Sequence, residues 1–345
     1  MFGYGRYTKT SGYDQSIAQK TGFSLTTISL VLNNKHRARS ITPATKAIIR
    51  QAAREMDYRP NLFARSLRAR RSYMVGLLVY DILDPYCAPI VKQIEAQLIP
   101  HRYTVLISDL GYDKNRYREA LDTLIERRVD GIICVANQLA FDMVDLHQTV
   151  GSTPLVLIGR RSHETHIPYF VVSDELGGYM QANFLISRGH REIGFIWDDG
   201  RCEWSVLRWK GVLKAMREAG LTPDLVERAQ DSSSDASYQA MRQLRETRRP
   251  FTAVCAIDDQ CAFGVIRELF DAGLRVPEDV SVIGFDDLSI SRYFNPTLTT
   301  IAQPLDKLGQ LATEALVSLM NRRGEHRSSR TLRPTLVERR STRAL

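Results

Sequence analysis

The sequence predicts a small all-α domain at the amino end, followed by a larger α/β region with two doubly wound parallel sheets. The first sixty residues or so hold short helical segments and no strand-like run. From Tyr73 onward, continuous apolar runs alternate with amphipathic stretches, which is typical of parallel strands covered by helices on both faces. That region has about 270 residues, more than one comfortable doubly wound domain, so we expect two lobes.

Cap residues mark the helices of the amino-terminal region. The segment "SIAQKT" begins at Ser16, a suitable N-cap, and stops at Gly22, a suitable residue after a helix end. Ser24 is placed to cap the next segment, "LTTISLVLNN". Thr42 precedes a proline at the first helical position of "PATKAIIRQAAREMD". The spacing therefore predicts three helices before residue 58.

Apolar runs in the rest of the chain have about the length of strands. They read "YMVGLLVY", "YTVLISD", "VDGIICVA", "PLVLIGR", "YFVVSD", "EIGFIW", "FTAVCAID" and "DVSVIGFD". Amphipathic segments such as "NRYREALDTLIERR" and "CAFGVIRELFDAG" separate them. Strand–helix alternation with right-handed crossovers gives doubly wound layers.

Positive charge is concentrated in the first fifth of the chain. Residues 1–72 carry 14 Lys and Arg against three Asp and Glu, whereas the rest carries 33 against 36. The amino-terminal region therefore has a net charge of +11 and the remainder −3. Such a region is a candidate for contact with a polyanion, since phosphate contacts release counterions. The alternative is a solvated basic tail.

Several classes of protein lack support in the sequence. No apolar run approaches the roughly 18 residues of a membrane span, and the start has no secretory h-region. The five cysteines are scattered without a CxxC pair, which favours reduced thiols in a cytoplasm over disulfides or a zinc site. P-loop, GxGxxG and GxSxG motifs are absent. We therefore expect a cytoplasmic protein without enzymatic activity, cofactor, metal or membrane contact.

The second predicted helix has an unusual exposed face. Ile28, Val31 and Leu32 form a thin apolar stripe that can pack on the preceding helix. The opposite face carries hydroxyl and small apolar groups, which suit base edges, phosphates and thymine methyls in a major groove. Two short helices joined at Gly22 thus predict a helix-turn-helix. The alternative is a small helical subdomain that packs on another protein.

The motifs together resemble the LacI/GalR family of bacterial transcriptional regulators. The resemblance begins with "SIAQKTGFSLTTISLVLNN" and "ITPATKAIIRQAAREMDYRPNLFARSLR". It continues through "VGLLVYDILDPYCAPIVKQIE", "RRVDGIICV", "LISRGHREIGFI", "GFDDLSISRYFNPTLTTIAQPLDKLG" and "LVERRST", in order and with family-like spacing. It covers nearly the whole chain after residue 14.

The resemblance implies an organisation into three parts. Residues 1–60 would form the DNA-binding domain and residues 61–72 a hinge helix and linker. Residues 73–340 would form a two-lobe, periplasmic-binding-protein-like sensor that binds an effector and dimerises. Its first lobe would comprise about 73–172 and 304–331, and its second lobe about 173–303 and 332–340.

The resemblance also implies which residues contact DNA. Base reading would fall to Leu25, Thr26 and Leu30, and phosphate contacts to Ser24, Thr27, Ser29 and Asn33. Leu30 departs from the family, where arginine is common, so the chain should prefer A·T at that base pair or read it weakly.

The segment "PNLFARSLR" resembles the family's hinge helix, a basic segment too short to be stable alone. It would contribute Asn61, Arg65 and Arg68, and Leu67 would insert into the minor groove at the operator centre. The alternative for Leu67 is a core contact with its apolar neighbours.

The sensor would bind a small molecule between its lobes. The positions that match the family's effector contacts are Asp81, Tyr86, Cys87, Arg208, Asp258 and Asp286. An arginine and carboxylates in a closed cleft suit a polyol, so we expect a sugar or glycoside, with a nucleobase or nucleoside as the alternative.

Some residues in or near this set have an alternative structural role. The alternative for the Arg208–Asp286 pair is a structural salt bridge, and for Asp259 and Asp287 we expect helix capping. Cys87 and Ser232 stand where aromatic residues are common in the family, and Trp204 or Trp209 is a candidate replacement.

The expected partners are pseudo-palindromic operator DNA, a carbohydrate effector and a second copy of the chain in a homodimer. The expected function is a repressor controlled by that effector. A sugar-binding protein without a DNA role is the rival reading, but such a protein would lack the basic amino-terminal region.

Overall fold

The structure is a computed structural model. It describes residues 10–32, 39–58, 71–111, 113–136, 149–162, 167–198, 200, 202–321 and 328–345. The chain divides into two compact units, Met1–Tyr73 and Met74–Leu345.

Three helices form the described part of the first unit, as the sequence predicts. They are α1 (Thr10–Thr21), α2 (Leu25–Leu32) and α3 (Pro43–Glu55). Ser16 was expected to cap α1, and this is wrong, because helical backbone hydrogen bonding begins six residues earlier and no cap is needed there. Gly22 follows α1 with a φ of +72°, and Thr42 caps α3 by accepting from the Thr45 N–H.

The apolar stripe of α2 packs as predicted. Ile28 and Val31 are buried against Ile17 of α1 and Ile49 of α3, and Leu32 is partly buried on the same cluster. This small core holds α2 in place, since eight residues rich in threonine and serine have little helical stability of their own.

The second unit contains two sheets, each with helices on both faces. The first sheet has the strand order β11-β5-β4-β3-β1-β2 and is parallel throughout. Its strands are β1 (Met74–Val79), β2 (Thr104–Asp109), β3 (Gly131–Val135), β4 (Leu155–Ile158), β5 (Tyr169–Val172) and β11 (Arg330–Leu332). Its helices are α4 (Cys87–Leu98), α5 (Lys114–Glu126) and α10 (Leu305–Met320).

The second sheet has the strand order β12-β10-β9-β8-β6-β7, and only the β10–β12 pair within it is antiparallel. Its strands are β6 (Ile193–Trp197), β7 (Val226–Arg228), β8 (Ala253–Ala256), β9 (Ser281–Asp286), β10 (Thr299–Ala302) and β12 (Thr335–Val337). Its helices are α6 (Asp174–Ser187), α7 (Glu203–Glu218), α8 (Ser234–Glu246) and α9 (Asp259–Asp271).

Two separate apolar cores follow from the two sheets, one in each lobe. The chain passes from one lobe to the other after β5, after β10 and after β11. A hydrogen bond joins the crossings after β5 and after β11, because the Ser173 N–H donates to the Leu332 carbonyl. All three crossings leave strands at their carboxyl ends, so they lie along the edge where the lobes face each other.

Helices α6 and α7 cross at unusually close range. A Cβ atom on Gly178 would lie 2.0 Å from the Arg208 carbonyl oxygen, and one on Gly211 would lie 1.9 Å from the Glu175 carbonyl oxygen. Only glycine permits this backbone contact. The close approach brings the first residue of α6, Asp174, beside the side chain of Arg208 in α7.

In the part of the chain that the structure describes, no helix combines the length and the apolar character that a membrane span requires.

Gly211→Ala should destabilise the second lobe, because the added methyl group overlaps the backbone of α6. We expect a loss of about 1–3 kcal/mol in the free energy of unfolding, measured by urea denaturation. Arg217→Ala, on the exposed side of the same helix, is the control and should change it by less than about 0.5 kcal/mol. Equal effects of the two substitutions would contradict the close crossing.

Candidate functional site

The exposed face of α2 carries the residues that the sequence assigns to DNA contact. Ser24, Leu25 and Thr26 are exposed, and Leu25 keeps 47% of its surface despite its apolar side chain. The partly buried residues at its flank are Thr27, Ser29 and Leu30. Ser24 also caps the helix as predicted, because its Oγ accepts from the Thr27 N–H at 3.2 Å.

The remaining residues assigned to DNA contact lie outside the described part of the chain. They are Asn33, Asn61, Arg65, Leu67 and Arg68.

A cleft of 1040 Å³ opens between the two lobes of the second unit. Residues directly after several strands line it, including Tyr80 after β1, Gly159 after β4 and Asp198 after β6. Parallel α/β sheets place ligands at this carboxyl edge. Asp258 and Asp286, at the ends of the β8 and β9 segments, lie in the same cleft.

Arg208 is the central cation of the cleft and is only 2% exposed. Its Nε donates to Asp174 Oδ1 at 3.0 Å, its Nη1 to the Ile257 carbonyl at 2.9 Å, and its Nη2 to Asp286 Oδ1 at 3.3 Å. The guanidinium carbon lies 3.5 Å from the centre of the Phe285 ring and 4.5 Å from that of Trp204. The side chain is thereby fixed in position.

Asp286 combines an unusual backbone with several hydrogen bonds. Its φ is 112° and that of Asp287 is 56°, both in the region that disfavours residues with a side chain. Gln303 Nε2 donates to Asp286 Oδ1 at 2.6 Å, and Arg339 pairs with Asp287 at 2.6 Å. Strained backbone held by surrounding contacts is common at ligand sites.

The carboxylate that caps α9 is Asp258, whose Oδ1 accepts from the Cys261 N–H at 2.7 Å. Capping was expected of Asp259 and Asp287, and this is wrong. The Asp259 carboxylate instead accepts from the hydroxyls of Ser291 and Thr300 and from the Leu288 N–H, at 2.5 to 2.9 Å. It therefore fixes the segment that follows Asp286.

Burial dominates the titration of these carboxylates. It raises the pKa of Asp286 to about 6, against the lowering effects of Arg208 and Gln303. It raises the pKa of Asp259 to about 7, with repulsion from Asp286 adding to the effect. The pKa of Asp258 is also raised well above its ordinary value, first by burial and then by Asp286.

The first lobe contributes Asp81 and Tyr86 to the lining of the cleft. The Asp81 carboxylate accepts from the Leu83 N–H at 2.8 Å. Cys87 was expected at the rim, but it is fully buried in the core of the first lobe at the start of α4 and does not line the cleft. Burial raises the pKa of its thiol to about 12.

Several cleft residues were not singled out from the sequence. Asp174 and Gln303 hold Arg208 and Asp286, and Arg160 and Asp198 line the walls. One sequence feature is common to Asp174, Arg160 and Asp198. Each lies one or two residues after an apolar strand. Gln303 likewise follows β10 directly.

Two tryptophans were candidates to replace the missing aromatic residue, and the structure separates them. Trp204 lines the cleft beside Ser232, whereas Trp209 packs on Trp197 of the second-lobe core, with their ring centres 5.2 Å apart. An ion pair also spans the lobes at this side of the cleft, with Arg161 Nη1 at 3.2 Å from Glu203 Oε1.

Comparison with known proteins agrees with this architecture. Residues 15–61 match the family described as "Bacterial regulatory proteins, lacI family", and residues 182–342 match a "Periplasmic binding protein-like domain". The HTH-type transcriptional repressor PurR of Pectobacterium atrosepticum is 33% identical over 329 residues, which cover 95% of this chain and 96% of that protein. The chain belongs to the LacI family.

Solved structures of LacI-family regulators show the same fold. A Lac repressor dimer bound to operator and the anti-inducer ONPF has a TM-score of 0.84 at 26% identity, over 95% of this chain and 98% of that one. A LacI-family regulator of Enterococcus faecium with bound ribose has a TM-score of 0.72 at 27% identity, over 79% of this chain and 99% of that one. The predicted family and fold class are thus confirmed.

As a member of the LacI family, the chain is a DNA-binding transcriptional repressor. Its relatives named PurR are repressors rather than enzymes, in agreement with the expected absence of enzymatic activity.

The stability of the second unit should fall as the pH rises from about 4 to about 7. Asp259 and Asp286 have raised pKa values in the folded state, so the native protein holds protons that the unfolded chain releases in this range. Because only the native state binds these protons in this range, the free energy of unfolding decreases as the pH rises. Asp259→Asn should remove part of this decrease, measured by urea unfolding between pH 5 and 8. A stability difference between wild type and variant that does not change with pH would contradict the assignment.

Proposed function

We propose that this repressor binds a sugar or glycoside in its interlobe cleft and that the bound molecule sets its affinity for operator DNA. In this proposal residues 1–60 read the operator and residues 61–72 form a hinge helix and linker. Residues 73–340 bind the effector and pair two copies of the chain.

The observation that carries the proposal is the fixed arrangement of Arg208, Asp286 and Asp258 at the carboxyl edge of the second sheet. Charge-assisted hydrogen bonds of this kind are strong in a site from which water is excluded, and they match the hydroxyl groups of a polyol. Ser232 and Ser233 extend the polar lining. The structural relatives include one solved with bound ribose and a complex of CelR with cellobiose.

A nucleobase or nucleoside is the second candidate effector. The rings of Tyr86 and Trp204 both line the cleft and offer apolar faces to a planar ligand. The relatives named PurR include that of Pectobacterium atrosepticum, which covers 95% of the chain. The polar groups around Arg208 outnumber these aromatic rings, so we favour the sugar.

In the proposed mechanism, α2 enters the major groove with Leu25, Thr26 and Leu30 toward the bases, and the flanking hydroxyls contact phosphates. The paired hinge helices place Leu67 in the minor groove at the centre of a pseudo-palindromic operator. Effector binding shifts the population between two lobe arrangements, which changes how the hinge helices meet. Couplings of this type are about 1–3 kcal/mol, roughly 5- to 150-fold in affinity.

A ligand screen tests the effector class. A ligand that binds only the folded state raises the melting temperature with its concentration. We expect at least one sugar or glycoside to do so and to change operator affinity at the same concentration, measured by fluorescence anisotropy. Stabilisation by nucleobases or nucleosides alone would replace the sugar with the second candidate.

Thr26→Ala tests the reading face of α2. We expect the affinity for an operator duplex, selected from a randomised pool, to fall roughly threefold to tenfold through the loss of about 1 kcal/mol of hydrogen bonding. Affinity for a scrambled duplex should stay nearly unchanged, since phosphate contacts dominate there. Gln51→Ala, exposed on α3, is the control. An equal loss on both duplexes would argue against base reading by Thr26.

A further inference from the structure

The cleft has a large excess of negative charge. The carboxylates in its lining are Asp81, Asp84, Asp198, Glu203, Asp231, Asp258 and Asp286. The cations in its lining are Arg160 and Arg208. Seven carboxylates therefore face two guanidinium groups among the described residues.

Other carboxylates of this set accept local hydrogen bonds. Asp84 accepts from the Tyr80 hydroxyl and the Tyr86 N–H, both at 2.8 Å. Glu203 pairs with Arg161 across the lobes. Asp198 accepts from the Ser205 hydroxyl, and Asp231 from the Ser233 N–H. These groups stabilise turns and helix starts, whereas Asp258 and Asp286 form a largely buried pair beside Arg208.

Each carboxylate of the buried pair has one oxygen without a hydrogen-bond donor. Asp258 is 7% exposed, and the one hydrogen bond that its carboxylate makes within the described chain is that which Oδ1 accepts from the Cys261 N–H. Asp286 receives both Arg208 and Gln303 on Oδ1. Neither Oδ2 atom is both fully buried and unpaired, and both residues line the cleft.

Arg208 cannot balance this pair. Its one positive charge is shared between Asp174 and Asp286, and its side chain is fixed by three hydrogen bonds and two aromatic rings. Asp174, Asp258 and Asp286 thus set three carboxylates against one cation. A buried carboxylate without a partner is costly, and it is stabilised either by a proton or by a cation. The raised pKa of Asp258 agrees with this imbalance.

We propose that the effector carries a protonated amino group, which binds between the free oxygens of Asp258 and Asp286, and that it is an amino sugar or a glycoside of one. This inference rests on the proposed function of the cleft. An ammonium group supplies three donors and one positive charge, whereas a hydroxyl supplies one donor and no charge. It satisfies both free oxygens and reduces the excess of negative charge in one contact. The hydroxyl groups of the sugar are then left for the serines and glutamines of the wall.

The test compares matched sugars on the full-length protein near neutral pH by isothermal titration calorimetry. The probes are glucosamine, galactosamine and mannosamine, each with its neutral parent sugar and its N-acetyl derivative. We expect at least one amino sugar to bind about tenfold or more tightly than both of its neutral forms, because a charge-assisted bond is lost in each.

Asp258→Asn and Asp258→Ser remove the charge but keep a good N-cap for α9, so both should fold, with circular dichroism as the check. Each should abolish the preference for the amino form. Asp122→Asn, which removes an exposed carboxylate of α5 outside the cleft, should preserve it.

The outcomes separate the inference from the function on which it rests. If neutral sugars bind as tightly as their amino forms, the inference is wrong, but the sugar effector stands. The same conclusion follows if the preference for the amino form survives both Asp258 variants. No binding of any amino sugar overturns the inference. If nucleosides alone bind, the sugar effector fails as well.

Discussion

The position of Arg208 determines the geometry of the second-lobe wall of the cleft. Its guanidinium joins the start of α6, the segment after β8 and the end of β9 through three hydrogen bonds. The contact depends on the close crossing of α6 and α7, which in turn requires Gly178 and Gly211. Breaking a buried ion pair by removing one partner generally costs about 3–5 kcal/mol. The cation therefore ties three segments of the second lobe together, and in the proposed function it is the fixed group against which the effector is oriented.

The two units of the chain carry net charges of opposite sign. The amino-terminal region has a net charge of +11, and the rest has −3. Positive charge favours approach to DNA from any direction, and in the proposed function the hydroxyl and leucine side chains of α2 supply the sequence-dependent contacts. Carboxylates of the second unit line its cleft, where in the proposed function they select among small molecules. Each unit would thus use electrostatics for a different kind of ligand.

Local sequence patterns predict much of this fold. Apolar patterns predict α2, α3 and eight of the described strands, but not β7, β10, β11 and β12. The caps at Ser24 and Thr42 follow from residue type. The cleft is less predictable, because its bonds join residues far apart in sequence. Asp174 and Arg208 are separated by 34 residues and Arg208 and Asp286 by 78. No local pattern shows these pairings, nor that Cys87 turns into the core rather than toward the cleft.

The crossings between the lobes lie at the cleft itself. Gln303, directly after β10, donates its side-chain amide to Asp286, and Asp174 follows the crossing after β5. A ligand that contacts either carboxylate would therefore act at the crossings between the lobes. Strand β1 leads from the opposite edge of its sheet to the cleft, and its six residues form an arm of about 20 Å. Under the proposed function, a few degrees of rotation at these crossings would therefore be magnified at Met74, where the second unit begins.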